Sequence, residues 1–150
     1  MNAGLLYREG TVGGANPIAL VARLYEQTIE DLRQAVKALE RNEVELRTQK
    51  INHAILVIGY LESRLNFAAG GKVAENLKDF YDGVRAHLVR AQFQQSKPLL
   101  TQQITNLLAV REAWIEVERT ENSASARSAD LIAAAAPAPA SDAARVDWKG

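Results

Sequence analysis

The stretch from Asn66 to Ala91 constrains the fold most strongly, because its apolar residues recur at helical spacing. Steps of three and four residues return a chain to the same side of an α-helix, which has about 3.6 residues per turn. The apolar stripe consists of Val73, Leu77, Phe80, Tyr81, Val84, Leu88 and Ala91. The opposite side carries charged residues that water can solvate. A helix of this kind must bury its stripe against other elements, so the chain is expected to form a helical domain.

A first helix is predicted to begin at Asn16-Pro17. An asparagine can accept hydrogen bonds from the free N–H groups of a helix start, and proline loses nothing at the first helical position. Apolar residues then follow at helical spacing from Ile18 to Leu39, and the pattern ends near Asn42.

Two more helices complete the pattern. The second is predicted to span about residues 45–69, with the Gly70-Gly71 pair forming the turn that follows it. The last has Ser96 as its predicted N-cap and Pro98 just inside its first turn. Short turns join antiparallel neighbours, so the predicted fold class is all-α, an antiparallel four-helix up-down bundle.

The ends of the chain differ in composition from the middle. Residues 1–16 contain four glycines, which predicts a flexible N-terminal segment, although apolar residues such as Tyr7 could cap a groove. Residues 120–150 are rich in alanine, serine and proline and have few bulky apolar side chains, so a disordered tail is expected. Trp148 in this tail is interpreted as solvent-facing or as an anchor. The bundle is expected to occupy residues 17–119.

Composition excludes several classes of function. The 150 residues include 18 basic and 18 acidic side chains, and a net charge of zero provides no general attraction for nucleic acid. No cysteine is present, which removes disulfides, thiolate catalysis and thiolate metal sites. No apolar run approaches the roughly 18 residues of a transmembrane helix, and the N-terminal sequence lacks a signal-peptide pattern. A cytoplasmic protein without stable membrane insertion is therefore expected.

No pattern in the sequence predicts catalysis. A di-metal bundle needs Glu-x-x-His on two helices, but Lys50 and Val84 stand where His53 and His87 would need glutamate. Two isolated histidines without cysteine do not make a zinc site. We therefore expect no catalytic residue, no metal and no cofactor, and we expect that the chain is not an enzyme.

The second predicted helix has an unusual run, Ile55 to Leu61, that is apolar on most of its faces. Such a helix either lies centrally in its domain or keeps one face for a partner. Both interpretations remain open, because an end of the chain could cover the spare face.

The sequence also resembles the FliS family of flagellar secretion chaperones, from about Leu5 to Glu118. The resemblance rests on four ordered blocks: Tyr7, Val12 and Asn16-Pro17; Leu24-Tyr25-Glu26; Gly70-Gly71-Lys72-Val73-Ala74-Glu75-Asn76-Leu77 with Phe80-Tyr81-Asp82; and Leu108-Ala109-Val110-Arg111-Glu112-Ala113-Trp114. The chain departs from the family where Gly14-Ala15-Asn16 replaces Thr-Ala-Ser and where Gln27 replaces a glycine. These departures affect the surface of the first helix and not the fold.

The resemblance implies a cytosolic export chaperone that binds the disordered C-terminal segment of flagellin. It would keep the subunit unpolymerised and deliver it to the export gate of the flagellar type III apparatus. An unfolded client can form helices while it lays apolar faces into grooves. The residues expected to line or support such grooves are Ile55, Ile58, Leu61, Leu65, Leu77, Tyr81 and Leu88, with Tyr7 as a lid.

Two other functions remain open at this point. A homodimeric structural or adaptor protein would use the same apolar surface to bind a second copy. The chain could therefore be a monomer or a weak homodimer. A helical nucleic-acid module would need a basic stripe, and neither charge nor spacing supplies one.

Overall fold

A computed structural model describes the backbone of residues 6–7 and 17–135 and the side chains of residues 6–7 and 18–120. This part of the chain forms four helices: α1 (Pro17–Glu40), α2 (Val44–Ser63), α3 (Phe67–Gln94) and α4 (Lys97–Ala135). The prediction of an all-α four-helix bundle is confirmed. The predictions made for residues 1–5, 8–16 and 136–150 lie outside the described residues.

Polar contacts between helices show that neighbours run antiparallel. Between α2 and α3, Gln92 donates to Thr48 at 2.6 Å, and the Arg85 guanidinium lies 2.6 Å from the Glu62 carboxylate. Residue numbers rise along α2 as their partners' numbers fall along α3. The same reversal relates α1 to α4, where Lys97 pairs with Glu40 and Arg111 pairs with Glu26.

The bundle core contains large apolar side chains from all four helices. Those with less than 2% exposure include Tyr25, Ile29, Leu32, Ile51, Ile58, Leu61, Leu65, Tyr81, Leu88, Leu100 and Leu107. Full burial of one such side chain contributes about 1.5–3 kcal/mol to folding, so the periodic stripes supply the main driving force. The stripe predicted for α3 is buried from Tyr81 onward, whereas Val73 is 42% exposed and Ala74 occupies the core instead.

The turn between α2 and α3 lies earlier than the sequence pattern predicts. α2 ends at Ser63 and α3 begins at Phe67, so the two glycines belong to the first turn of α3. Asn66 explains the early start, because its side chain accepts a hydrogen bond from Ala69 N at 3.1 Å and caps α3. Gly71 still interrupts the regular backbone, with φ 53° and ψ −129°, a conformation that only glycine adopts readily.

The start of α4 follows the prediction, whereas its end does not. Ser96 Oγ accepts from Leu99 N at 3.2 Å, which confirms Ser96 as the N-cap. α4 then continues to Ala135, so residues 120–135, which the composition assigns to the tail, are helical. The high helix propensity of alanine is consistent with this extension. The chain divides into two compact units at Ile115 and Glu116, and the core described above belongs to the first.

Candidate functional site

Leu6 and Tyr7 pair through their backbone with the turn between α2 and α3. Tyr7 and Leu65 form an isolated antiparallel β-bridge, and Asn66 N donates to Leu6 O at 2.7 Å. Both Leu6 and Tyr7 are 4% exposed, so they are buried within the first unit of the chain. Leu6 lies in a 3₁₀ turn and Tyr7 forms a single bridge, and these two features hold the segment beside the turn between α2 and α3.

Gly70 makes room for the Leu6 side chain. A Cβ atom built on Gly70 would stand 2.8 Å from Leu6 Cδ2, closer than real Cβ contacts allow. The same Cβ would stand 2.9 Å from Ala74 Cβ, so a side chain at residue 70 would force Leu6 or Ala74 to shift. Because Gly70 lies in the first turn of α3, the position of that turn decides whether Leu6 can be seated.

The Tyr7 side chain reaches two other tyrosines in the core. Tyr7 Oη lies 2.6 Å from Tyr81 Oη, which in turn lies 2.7 Å from Tyr25 Oη. The Tyr7 ring also faces Trp114, with ring centroids 6.0 Å apart and planes inclined at 52°. We call the residues that receive Leu6 and Tyr7 the tyrosine socket: Tyr25, Leu65, Asn66, Gly70, Tyr81 and Trp114.

Burial keeps the hydroxyl groups of this cluster neutral. Desolvation raises the pKa of Tyr25 to about 12, and it also raises the pKa of Tyr7 and of Tyr81 above the ordinary value for tyrosine. Each hydroxyl can therefore donate one hydrogen bond and accept others at neutral pH. The buried Trp114 Nε1 lies near Tyr25 but has no regular hydrogen bond with the described residues.

The structure divides the eight residues that the sequence predicts for partner binding. Tyr7, Leu65 and Tyr81 meet at the tyrosine socket. Three others are at most 1% exposed and lie in the core: Ile58, Leu61 and Leu88. The remaining two, Ile55 and Leu77, are partly exposed. Their role in binding stays a prediction, but only Ile55 and Leu77 have accessible side-chain surface in this arrangement.

Several residues of the site were missed by reasoning from spacing alone. Tyr25 and Trp114 read as ordinary core residues, and Gly70 as part of a turn. A buried tyrosine needs a partner for its hydroxyl, so Tyr25 and Tyr81 on neighbouring helices could have suggested a shared polar cluster. Nothing local in the sequence indicates that Leu6 lies against Gly70.

Several large apolar residues on α2 and α3 are exposed. Leu56 is 71% and Tyr60 42% exposed, one turn apart on α2, and Phe93 on α3 is 82% exposed. Tyr60 also borders an open groove of about 670 Å³ between α1 and α2, whose apolar lining includes Leu20 and Leu24. The apolar run of α2 therefore packs in the core with one face, through Ile58 and Leu61, and leaves Leu56 and Tyr60 exposed on another.

Two further observations limit the chemistry of the described residues. They contain no group of three or more histidine, aspartate or glutamate side chains placed to hold a metal ion. No helix among them has both the length and the apolar character needed to cross a bilayer. The features that remain are a helical bundle, a short N-terminal segment held in a buried socket, and exposed apolar residues. These features are typical of a protein that binds polypeptide segments.

Comparison with known proteins identifies the class as flagellar chaperones. Residues 1–121 match the family described as "Flagellar protein FliS", so the chain belongs to the FliS family. It is 35% identical over 106 residues to the flagellar secretion chaperone FliSB of Pseudomonas aeruginosa, covering 71% of this chain and 84% of the relative. It is 24% identical over 109 residues to the flagellar secretion chaperone FliS of Vibrio cholerae, covering 73% and 80% respectively. The corresponding protein of Salmonella typhimurium is 27% identical over 111 residues, with 73% and 82% coverage. The family is one of chaperones and not of enzymes.

Proposed function

We propose that this flagellar chaperone acts in the cytosol and binds the disordered C-terminal region of flagellin. It prevents premature polymerisation of the subunit and assists its delivery to the export gate of the flagellar type III apparatus. Membership of the FliS family and the names of the curated relatives support a role in flagellar export. The observation in this chain that best supports the proposal is the short segment at Leu6 and Tyr7, which packs on the bundle through a backbone bridge and buried side chains.

Tyr7 acts as a lid in this proposal. Its ring covers Trp114 and its hydroxyl contacts Tyr81, so withdrawal of Tyr7 would open an apolar site with a polar group at its base. A lid that competes with a client lowers the client's apparent affinity by the fraction of time that it occupies the site. The lid thereby protects the bundle from unspecific contacts until a client is present.

The proposed client surface extends beyond the socket. Ile55 and Leu77 contact the client directly, together with the exposed Leu56 and Tyr60 of α2. Ile58, Leu61 and Leu88 support these residues from the core beneath them. A disordered segment that folds on such a surface loses conformational freedom and recovers free energy through the apolar area that it buries.

Calorimetry with the full chain and a synthetic peptide of the flagellin C-terminal region tests the proposal. We expect saturable binding with a negative heat-capacity change, the robust marker of apolar burial. A peptide of identical composition and scrambled sequence serves as the control. Absence of binding by the flagellin peptide, or equal binding by the scrambled one, would contradict the proposal.

The alternative is a homodimeric structural or adaptor protein. The observation that favours it is the strong exposure of Phe93, which lies one turn from the exposed Val89 on α3. Light scattering of the isolated chain distinguishes the two functions, since a stable dimer would lose half its mass on substitution of Phe93 by serine. A monomer with a flagellin-dependent increase in mass supports the chaperone.

A further inference from the structure

We propose that the groove between α1 and α2 binds one amphipathic helix of the client and fixes its position by two charges. The groove is the open one of about 670 Å³ that is lined by Leu20, Leu24 and Tyr60. Arg23 and Glu30 of α1 supply the two charges. The inference rests on the proposed function for the identity of the client, and it adds the conformation and the charge pattern of the bound segment.

The walls of the groove favour a helical occupant. Both walls are α-helices, Pro17–Glu40 and Val44–Ser63, whose internal N–H and C=O groups are bonded within each helix. They offer no row of free backbone groups to an extended peptide, whose own groups facing the apolar lining would lose water without gaining a partner. A helix satisfies its backbone internally and needs only an apolar stripe to contact the groove.

Apolar side chains of both walls are available to such a stripe. Leu20 and Leu24 lie one turn apart on α1, and both are partly exposed. Tyr60 borders the groove from α2 and is 42% exposed, and Leu56, one turn earlier, is 71% exposed. From Leu20 to Glu30 α1 rises about 15 Å, so the groove accommodates about three turns of a partner helix.

The two charges on the α1 wall have no ion-pair partner among the described residues. Arg23 and Glu30 are both exposed, and the Glu30 carboxylate accepts a hydrogen bond from the neutral Gln34 amide at 3.0 Å. Glu26 also lines the groove, but it already pairs with Arg111 of α4. Of the charged residues that line the groove, Arg23 and Glu30 therefore remain available to a partner.

The spacing of Arg23 and Glu30 defines the charge pattern of the occupant. The two residues are seven positions apart, so they lie on nearly the same side of α1 and about 10 Å apart along its axis. A helix aligned with α1 matches them when an acidic and a basic residue also stand seven positions apart beside its apolar stripe. Like charges at either position would repel and reduce affinity.

The test uses the full chain and three designed helical peptides that share one apolar stripe. The mixed peptide carries glutamate and lysine seven positions apart at the edge of the stripe. The acidic peptide carries glutamate at both positions, and the neutral peptide carries glutamine at both. We expect calorimetry to find that the mixed peptide binds about threefold more tightly than the neutral peptide and about fivefold more tightly than the acidic peptide.

Glu30→Lys is the decisive variant, because it replaces the repulsion of the acidic peptide by attraction. We expect this protein to bind the acidic peptide about fivefold more tightly than the unchanged chain does. Arg23→Gln should weaken binding of the mixed peptide about threefold and leave the neutral peptide unaffected. Lys37→Gln removes an exposed charge of α1 outside the groove and is the matched control, with the affinities of the unchanged chain expected. Circular dichroism verifies that each variant is folded.

The inference is overturned if the folded chain binds none of the three peptides. Equal affinities for the mixed and acidic peptides, or an affinity of the Glu30→Lys protein for the acidic peptide equal to that of the unchanged chain, would remove the two charges from recognition. A dimer of the isolated chain that dissociates on Arg23→Gln, detected by light scattering, would assign the groove to a second copy.

Competition with the flagellin C-terminal peptide distinguishes failure of the groove from failure of the proposed function. A flagellin peptide that binds without displacing the mixed peptide leaves the proposed function intact and places the client outside the groove. Charge-dependent binding of the mixed peptide, together with no binding of the flagellin peptide, would support the groove and contradict flagellin as the client.

Discussion

The hydroxyl oxygens of Tyr7 and Tyr81 lie 2.6 Å apart although the two residues are 74 positions apart in the chain. Tyr81 belongs to the middle of α3, whereas Tyr7 precedes the first helix. This contact, continued at 2.7 Å to Tyr25, ties the N-terminal segment to two helices at once. It therefore provides a direct way to test how the segment contributes to stability and binding.

Replacement of Tyr7 distinguishes the contribution of the lid from that of the helical bundle. We expect Tyr7→Ala to leave the helices formed, because their buried apolar stripes pack against one another without residue 7. It should increase the binding of a dye specific for exposed apolar surface and promote self-association, since Trp114 loses its cover. Circular dichroism, dye fluorescence and light scattering measure the three effects.

Tyr7→Phe is the matched control for that experiment. It removes one buried hydrogen bond, worth about 1 kcal/mol, while the ring continues to cover Trp114. Its dye binding should stay near that of the unchanged chain. The lid interpretation is wrong if Tyr7→Ala binds no more dye than the unchanged chain and remains monomeric at high concentration.

The buried tyrosines predict a loss of stability at high pH. Unfolded tyrosines ionise near pH 10, whereas burial raises the pKa of Tyr25 to about 12 and also raises the pKa values of Tyr7 and Tyr81. Above pH 10 the unfolded chain therefore binds fewer protons than the folded chain, and the free energy of unfolding falls as pH rises. The contribution of Tyr25 is fully present below pH 10 and is lost as pH rises to about 12.

Each such group lowers the free energy of unfolding by about 1.4 kcal/mol per pH unit within its window. Urea unfolding at several pH values between 9 and 12 measures the slope, and absorbance of the phenolate reports ionisation. Tyr7→Phe should reduce the slope by one proton. Stability that is constant across this range, or ionisation of Tyr7, Tyr25 and Tyr81 near pH 10 in the folded chain, would contradict the burial of the cluster.

Gly70 and Gly83 provide a matched pair of glycines in α3. Gly70→Ala places a Cβ 2.8 Å from Leu6 Cδ2 and 2.9 Å from Ala74 Cβ, so we expect it to displace Leu6 or to strain the packing against Ala74, at a cost of about 1–3 kcal/mol. Gly83→Ala meets no atom within 4 Å and should stabilise the helix by about 0.5–1 kcal/mol. Urea titration of both variants checks the opposite signs. Two stabilising substitutions would show that Leu6 does not need the space at Gly70.

The contact with the buried Asp31 carboxylate indicates that His53 stabilises the fold. The Asp31 carboxylate is buried and is held by the His53 ring and by Gln27 Nε2 at 3.1 Å. His53→Ala should cost about 1–3 kcal/mol, because a buried carboxylate loses a hydrogen-bond partner. His87→Ala, at an exposed position on α3, should change stability by less than about 0.5 kcal/mol. Equal effects in a denaturation experiment would remove His53 from any structural role.

Leu61 and Leu56 lie on opposite faces of α2. Substitutions at these two positions therefore test stability and client binding separately. Leu61 is 1% exposed, so Leu61→Asp buries a charge and should unfold the chain, at a cost above about 4 kcal/mol. Leu56 is 71% exposed, so Leu56→Asp should remain folded and weaken flagellin binding by about tenfold. Circular dichroism and calorimetry measure the two effects. A folded Leu56→Asp protein with undiminished affinity would place the client elsewhere.

The spacing of apolar residues was sufficient to predict the four helices, because each apolar stripe marks the side of one helix that is buried. It placed Tyr81, Leu88 and Ala91 in the core correctly, and it identified Ser96 as the start of α4. It misplaced the second turn, because the glycine pair is a stronger local signal for a turn than the capping side chain of Asn66. Contacts with the rest of the fold decide which of these two signals, the glycine pair or the Asn66 cap, sets the position of the turn.

The tyrosine socket could be predicted only in part for the same reason. Tyr7 was identified as a candidate lid from its ring and its distance from the first helix. Its partners Leu65, Tyr81 and Trp114 lie 58 to 107 positions away in the chain, and no local pattern encodes such contacts. Exposure of Leu56 also depends on how α2 is rotated between its neighbours, and a run that is apolar on most faces does not fix that rotation.

The backbone at Gly71 gives the first turn of α3 a hinge. Its torsions lie outside the helical region, so the direction of residues 67–70 relative to the rest of α3 is set by one residue. Gly70, which seats Leu6, lies on one side of this hinge, and Tyr81, which contacts Tyr7, lies on the other. A rotation at Gly71 would therefore move the seat of Leu6 while leaving the hydroxyl of Tyr81 in place. The two contacts of the N-terminal segment, at Gly70 and at Tyr81, therefore lie on opposite sides of a single non-helical residue.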